Sequence, residues 1–254
     1  MNRLLEEFVL GVRYAFRRLG LSGYQIHQII LKEQGLIYIP IPKNACSSMK
    51  DSLYLLEFGH EFDTNLPKLK QYKSHHDYFL KRANAFTGKY QLNQKKDYTR
   101  IAIIREPIER FISCYRNRVI DLEDLAHDIN ELRIAGLEVK PDINSFVKKL
   151  EVYRSVNKAI NHHTTPQSNF LGHTIEYLDR IYTLADIEEL QQLLQSYKPD
   201  LKFYKRKSGG TSVKLGELSR ESLHKLFDFY AEDYNLFSKY FSPEDIFQEL
   251  KKIN

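Results

Sequence analysis

Apolar residues recur at helical spacing from the start of the chain. Leu4, Leu5, Phe8, Val9, Val12, Phe16 and Leu19 mark one face of a helix over residues 3–19, with Arg3, Arg13, Arg17 and Arg18 mostly off that stripe. A stripe of this kind docks a terminal helix on a core, or lays a basic amphipathic helix on a membrane surface. The continuous apolar run at 36–41 predicts a buried strand, with Pro40 at its exit because proline removes a ladder donor. Residues 47–56 then predict a helix whose inward face is Met49, Ser52, Leu53 and Leu56. Residues 60–98 are polar and give no clear period. Residues 100–104 predict a second strand, and 107–119 a helix with Pro107 in its first turn, where a missing N–H costs nothing. The rest reads as helices over 121–132, 144–160, 185–197, 219–230 and 243–252, with a short strand at 180–184. Alternating strands and helices predict an α/β fold with a central parallel sheet and flanking helices.

Composition narrows this pattern. The chain has 254 residues, 42% hydrophobic and 28% charged, as expected of one sizeable globular domain over 1–254. There is no Gly/Ser- or Pro-rich linker and no fixed-period repeat. The net charge of +5 favours anionic ligands mildly, and no stacking-plus-basic motif points to nucleic acid. Two cysteines, Cys46 and Cys114, suit a reducing compartment better than a disulfide framework. No apolar run approaches the ~20 residues of a membrane span. The apolar run from Phe8 to Val12 is shorter than a signal-peptide core. A cytoplasmic protein is expected, with peripheral contact at the inner membrane surface through helix 3–19 as an option.

Two segments carry the chemistry. In Pro42-Lys43-Asn44-Ala45-Cys46-Ser47-Ser48 a strand delivers the chain to a turn of small residues and then to a helix N-terminus. Unsatisfied N–H groups and the positive dipole end favour an anion there. Ser47 and Ser48 add hydroxyls and Lys43 a mobile charge. The lysine precedes the turn, so this is not a Walker A loop; an ordinary strand–helix connection with serine caps is the plain alternative. In the second segment Arg105 ends a strand and Ser113 lies eight residues on, off the apolar stripe of Ile108, Phe111, Ile112 and Tyr115. An arginine and a serine so spaced suit one phosphate, although Glu106 and Glu109 oppose this and an Arg–Glu surface pair is the alternative. Two cradles in one chain suggest a ligand with two separate anionic groups.

Four segments together resemble the sulfotransferases that use 3′-phosphoadenosine 5′-phosphosulfate (PAPS), most closely the carbohydrate type. Lys43 to Ser48 resembles that family's 5′-phosphosulfate loop. Arg105-Glu-Pro-Ile-Glu-Arg-Phe-Ile-Ser113-Cys-Tyr resembles its 3′-phosphate motif, Arg-[Asp/Glu]-Pro-x-x-Arg-x-x-Ser-x-Tyr. Asn161-His-His-Thr-Thr-Pro-Gln167 resembles its His-x-x-Pro-Gln segment, and the stretch from Tyr230 through Asp233 and Tyr234 to Phe237 its C-terminal Tyr-x-x-Asp-Tyr-x-x-Phe helix. The resemblance runs from about residue 36 to 241. It implies a fold related to nucleotide kinases, no catalytic metal, PAPS as donor and PAP as product. It also implies an acceptor hydroxyl on a glycan or glycolipid. Cys46 departs from the family's usual Gly, Ser or Thr. Lys207, Ser208 and Gly209 resemble a late loop that approaches the 3′-phosphate, although a Gly-Gly turn explains them as well.

The resemblance places Lys43 against the charge that grows on the bridging oxygen, Asn44, Ala45, Cys46, Ser47 and Ser48 around the 5′-phosphate, and Arg105 and Ser113 on the 3′-phosphate. A base is also needed, and histidine has a suitable pKa. His75 is the first candidate, His163 the second, and His76 follows. A metal held by His75, His76 and Asp77 is rejected, because adjacent side chains rarely converge on one ion. Rival readings are a kinase-like enzyme that binds PAP or ATP, which would need a Walker A loop and a magnesium-binding Asp, a non-catalytic nucleotide-binding protein, and a membrane-surface scaffold led by helix 3–19. Oligomeric state and acceptor are not legible.

Overall fold

The computed structural model describes residues 26–82, 84–86, 97–172, 174–201, 203 and 211–253. The expected helix at 3–19 and the loop residues Lys207, Ser208 and Gly209 lie outside the described residues. In chain order the principal elements are β1 (Ile26–Leu31), β2 (Leu36–Ile39), α1 (Cys46–Phe58), α2 (His75–Arg82), β3 (Asn84–Phe86), β4 (Thr99–Ile103) and α3 (Pro107–Cys114). There follow α4 (Ile129–Ile134), α5 (Ile143–Lys148), α6 (Leu150–Val156), α7 (Lys158–Thr164), β5 (Arg180–Tyr182), α8 (Ile187–Tyr197), α9 (Arg220–Phe229), α10 (Ala231–Leu236) and α11 (Pro243–Ile253). Along the sequence these residues group into two compact units. One takes the described residues of Gln25–Arg105 and Asn169–Ser208, the other those of Glu106–Ser168 and Gly209–Asn254.

The first unit carries a five-stranded sheet in the order β3-β1-β2-β4-β5. Strands β2, β4 and β5 are parallel, with Tyr38 opposite Ile101 and Ala102 opposite Ile181. The expected parallel sheet is therefore present at its centre. It is extended by an antiparallel arm, since β1 runs against both β2 and β3. The β1–β2 hairpin turns through Lys32–Gly35, where Gly35 takes φ +58°, a left-handed value that a Cβ would strain. Strand β2 is buried throughout, as a strand paired on both edges and covered on both faces must be. The core of this unit gathers Leu36, Tyr38, Ile101 and Ile103 from the sheet, Met49 and Leu53 from α1, and Leu190 and Leu194 from α8. Each contributes roughly 1.5–3 kcal/mol by leaving water. Helix α1 stops at Gly59, whose φ of +76° lets its N–H close on the Leu55 carbonyl.

The second unit is helical. Its core joins Ile108 and Phe111 of α3, Phe146 of α5, Tyr153 of α6, Ile160 of α7 and Leu226 of α9. Three helices expected to be continuous are not. The span 121–132 opens, after the left-handed Glu123, as a 3-10 segment, Asp124–Asp128, that leads into α4. The span 107–119 is α-helical only to Cys114 and continues as a wider π-helical segment, Tyr115–Asp121, closed by Leu122 N–H on Asn117 O. The span 144–160 breaks into α5, α6 and α7. Asn157 explains the last break: its Oδ1 accepts from Ile160 N–H and its Nδ2 donates to Asp124 O and Asp128 Oδ2. A short amide that caps the next helix competes with continuing the previous one.

Candidate functional site

In the sheet unit, the chain leaves β2 through Pro40 and enters a strained turn. Lys43 (φ 70°) and Ala45 (φ 52°) are left-handed, while Asn44 between them is not. Alternation of this kind turns successive N–H groups toward one point, a concavity suited to an anion. Left-handed residues with a Cβ cost roughly 1–2 kcal/mol each. The buried Asn44 holds the turn in place, its Nδ2 donating to Ile103 O at 2.9 Å. Ala45, at the N-cap of α1, gives no side-chain cap. The positive end of α1 thus meets the turn with the hydroxyls of Ser47 and Ser48 beside it. Lys43, Cys46 and Ser47 are half-buried and Ser48 is buried.

The Asn44 bond ties this turn to the C-terminal end of β4, the neighbouring parallel strand. Arg105, half-buried, follows that strand by two residues. Lys43 and Arg105 are therefore both presented beyond the carboxyl edge of adjacent parallel strands, where ligands of open α/β sheets bind.

Residues 60–98 hold an element that the pattern of apolar positions did not predict. Helix α2 brings both early histidines against α1. His76 Nε2 lies 2.8 Å from Ser47 Oγ, and its Nδ1 lies 3.0 Å from Lys50 Nζ. His75 Nδ1 lies 3.1 Å from Asp51 Oδ1. The His75 ring is buried and meets the edge of Phe62 at 6.2 Å. The structure thus unites Ser47, His76 and His75, and adds Lys50 and Asp51. Sequence reasoning missed these two, although they stand three and four residues after Ser47, one helical turn on the same face. Burial lowers the Lys50 pKa, opposed by the nearby Cys46 side chain.

The helical unit holds the remaining candidates. Ser113 is half-buried on α3. His163 is engaged on both nitrogens. Its Nδ1 lies 2.8 Å from Ala159 O, an acceptor, so that nitrogen bears the proton. Its Nε2 accepts from Arg118 Nη2 at 2.8 Å, and Arg118 also pairs with Asp124 at 3.1 Å. A guanidinium donates only, so the basic nitrogen of His163 already faces a cation, a poor setting for a proton acceptor.

Two residues of the motifs turn out to build the core. Arg110 is fully buried on α3, and Asp233 on α10 is fully buried as well. Asp233 accepts from Gln167 N–H and Ser168 N–H at 2.8 Å each, and its charge interacts with Arg110. Burial still raises its pKa. Beside them Tyr230 OH donates to Thr164 O at 2.8 Å. The Pro-Gln segment and the Tyr-x-x-Asp-Tyr helix are therefore two halves of one buried polar joint.

Glu106 caps α3. It accepts from Glu109 N–H at 2.6 Å and from the Tyr234 hydroxyl. Burial is the main influence on its pKa, which rises from 4.5 to about 7. A buried carboxyl is penalised only when charged, so between those values the native state holds more protons than the unfolded chain. Stability should therefore fall as pH rises through this window, by up to about 3 kcal/mol from this group. Chemical denaturation across pH 4.5–8 should show that slope, and Glu106→Gln should remove its share; an unchanged slope in the variant would count against the assignment.

Among the described residues no group of His, Cys, Asp or Glu is placed to hold a metal ion, and no helix is long and apolar enough to cross a membrane.

A family model described as "Sulfotransferase family" matches residues 27–240. The chain is similar to human carbohydrate sulfotransferase 8, 24% identical over 118 residues, covering 46% of this chain and 27% of that protein. It is also similar to carbohydrate sulfotransferase 11 of Danio rerio, 29% identical over 92 residues, covering 36% of this chain and 26% of that protein. The matched part thus spans about a quarter of the length of these curated relatives. No solved structure matches the chain.

Proposed function

The chain belongs to the sulfotransferase family, and from that premise we propose that it moves the sulfuryl group of PAPS to a hydroxyl of a carbohydrate or glycolipid. The names of the curated relatives support the sugar acceptor. The observation that carries the donor assignment is the Asn44–Ile103 bond, which sets the strained Lys43–Ser48 turn and Arg105 at the carboxyl edge of neighbouring strands. A turn with converging N–H groups, two hydroxyls and a lysine suits a phosphosulfate, and a separate arginine suits a second phosphate.

PAPS supplies a sulfuryl group whose transfer leaves the charge of a departing phosphate. On this reading the N–H groups of Asn44, Ala45 and Cys46 hold the 5′-phosphate, with Ser47 and Ser48 donating to its oxygens. Lys43 stabilises the bridging oxygen as its bond to sulfur breaks. Arg105 binds the 3′-phosphate, to which the family resemblance also assigns Ser113, Lys207, Ser208 and Gly209. His75 takes the proton of the acceptor hydroxyl as the new sulfur–oxygen bond forms. No metal is required, because the turn and the cations carry the charge.

Arg105 gives the test of donor binding. Arg105→Ala removes charge-assisted contacts, worth about 1.5–3 kcal/mol, or roughly 10- to 150-fold in the Kd for PAP. Calorimetry on the folded variant reads this directly. Unchanged PAP affinity would remove Arg105 from the donor site.

A further inference from the structure

The two histidines that open α2 meet two different kinds of partner on α1. Asp51 presents a carboxylate oxygen to His75 Nδ1 at 3.1 Å. A carboxylate only accepts, so His75 carries its proton on Nδ1 and its lone pair on Nε2. Lys50 presents an ammonium to His76 Nδ1 at 3.0 Å. An ammonium only donates, so His76 carries its lone pair on Nδ1 and its proton on Nε2, which lies 2.8 Å from Ser47 Oγ.

We infer that Asp51 and Lys50 hold these adjacent histidines in opposite neutral tautomers, making His75 the proton acceptor and His76 a fixed donor to Ser47. The division of labour rests on the sulfuryl-transfer reading of the same site. His76 is unsuited to act as base: its Nε2 already bears hydrogen, and its Nδ1 faces a cation. His75 has the reverse arrangement, with its lone pair on an Nε2 that is buried in this structure. When its Nε2 takes a proton, the imidazolium stands against the Asp51 carboxylate, as charge stabilisation requires. Ser47 is affected as well. Because its oxygen accepts from His76, its own hydrogen points elsewhere and can serve an anion at the N-terminus of α1. Asp51 and Lys50 are thus positioning residues, each acting through a histidine. Consecutive residues on α1 meet consecutive residues on α2, which lets two neighbouring imidazoles with rings 4.3 Å apart differ in protonated atom.

The test uses the full chain labelled with ¹⁵N-histidine. Long-range proton–nitrogen correlation spectra report which ring nitrogen bears hydrogen, and His75→Gln and His76→Gln assign the signals. His75 should show Nδ1–H and His76 Nε2–H. Asp51→Ala should release His75 to the Nε2–H form that unconstrained imidazole prefers. Asp51→Asn, whose carbonyl still accepts, should keep Nδ1–H. Lys50→Met should free His76 alone. With a working acceptor, Asp51→Ala should lower kcat by about 10²-fold, the scale of a displaced base, with PAP affinity unchanged. Like tautomers in the wild type, or a His75 signal unmoved by Asp51→Ala in a protein of native circular dichroism, would overturn the inference. The wild-type spectrum decides the matter even where Asp51→Ala does not fold. PAP titration separates the two levels. Opposite tautomers without PAP binding sink the donor reading alone, and PAP binding with like tautomers sinks this inference alone.

Discussion

Lys43→Ala is expected to lower kcat by about 10²-fold or more, the scale of removing one oxyanion donor, while leaving PAP affinity nearly intact. The reason lies in when the charge appears. On the proposed reading the 5′-phosphate of the ground state already has the N–H groups of the turn and the Ser47 and Ser48 hydroxyls around it. The bridging oxygen becomes an anion only as sulfur departs, and a lysine that meets it there contributes chiefly to the transition state. Lys43 sits at φ 70° in a turn pinned by Asn44, so its backbone is set before any ligand arrives. Lys43→Arg should restore little, since a planar guanidinium does not replace a compact ammonium at one oxygen. Steady-state kinetics with saturating donor gives the answer. A variant with near-normal kcat and a raised KM would make Lys43 a ground-state binding residue.

Asp233→Ala is expected to cost about 2–5 kcal/mol of stability, roughly 1–3 kcal/mol for each of two buried donors left without an acceptor. Two N–H groups at 2.8 Å lose their acceptor, and the buried Arg110 loses the charge that offsets its own. Against a total stability of roughly 5–15 kcal/mol, that loss leaves the protein marginal. The coupling is checkable. Arg110→Met combined with Asp233→Ala should cost less than the two single changes added together, because the second change no longer strands a charge. Denaturant unfolding of the four proteins measures it. Strict additivity would mean that the two residues do not share an environment.

These residues show what the sequence conveyed and what it withheld. Strands β2 and β4 were legible because a fully buried strand is a continuous apolar run. The start of α3 was legible because Pro107 has one comfortable helical position, and the structure puts it there. The inward face of α1 was also legible: Met49, Ser52, Leu53 and Leu56 are all buried. The antiparallel arm was not, since β1 mixes His27 and Gln28 into its apolar run and β3 has only three residues. Helix α2 was hidden because its composition is mostly polar and its burial comes from packing on α1. The broken helices needed knowledge that Asn157 caps forward instead of facing solvent. At the site, the Lys43 turn and Arg105 could be read from their place after strands. Lys50 and Asp51 could not, because a Lys-Asp pair on a helix is ordinarily a solvated face, and only α2 gives each of them a histidine. Arg110 is part of the motif, but nothing in the sequence tells that its side chain faces inward. The structure buries it completely, within electrostatic reach of the buried Asp233, more than a hundred residues away in sequence.

The most direct measurement is calorimetric titration of the full chain with PAP, set beside ADP and ATP with magnesium. PAP carries phosphates at both the 5′ and 3′ positions, the pair that the Lys43 turn and Arg105 are assigned to hold, whereas ADP and ATP offer only the 5′ chain. Tight binding of PAP, much weaker binding of ADP and ATP, and loss of the PAP preference in Arg105→Ala are the predicted results. Binding of ATP with magnesium in preference to PAP would contradict the account and place the chain's chemistry with phosphoryl transfer instead.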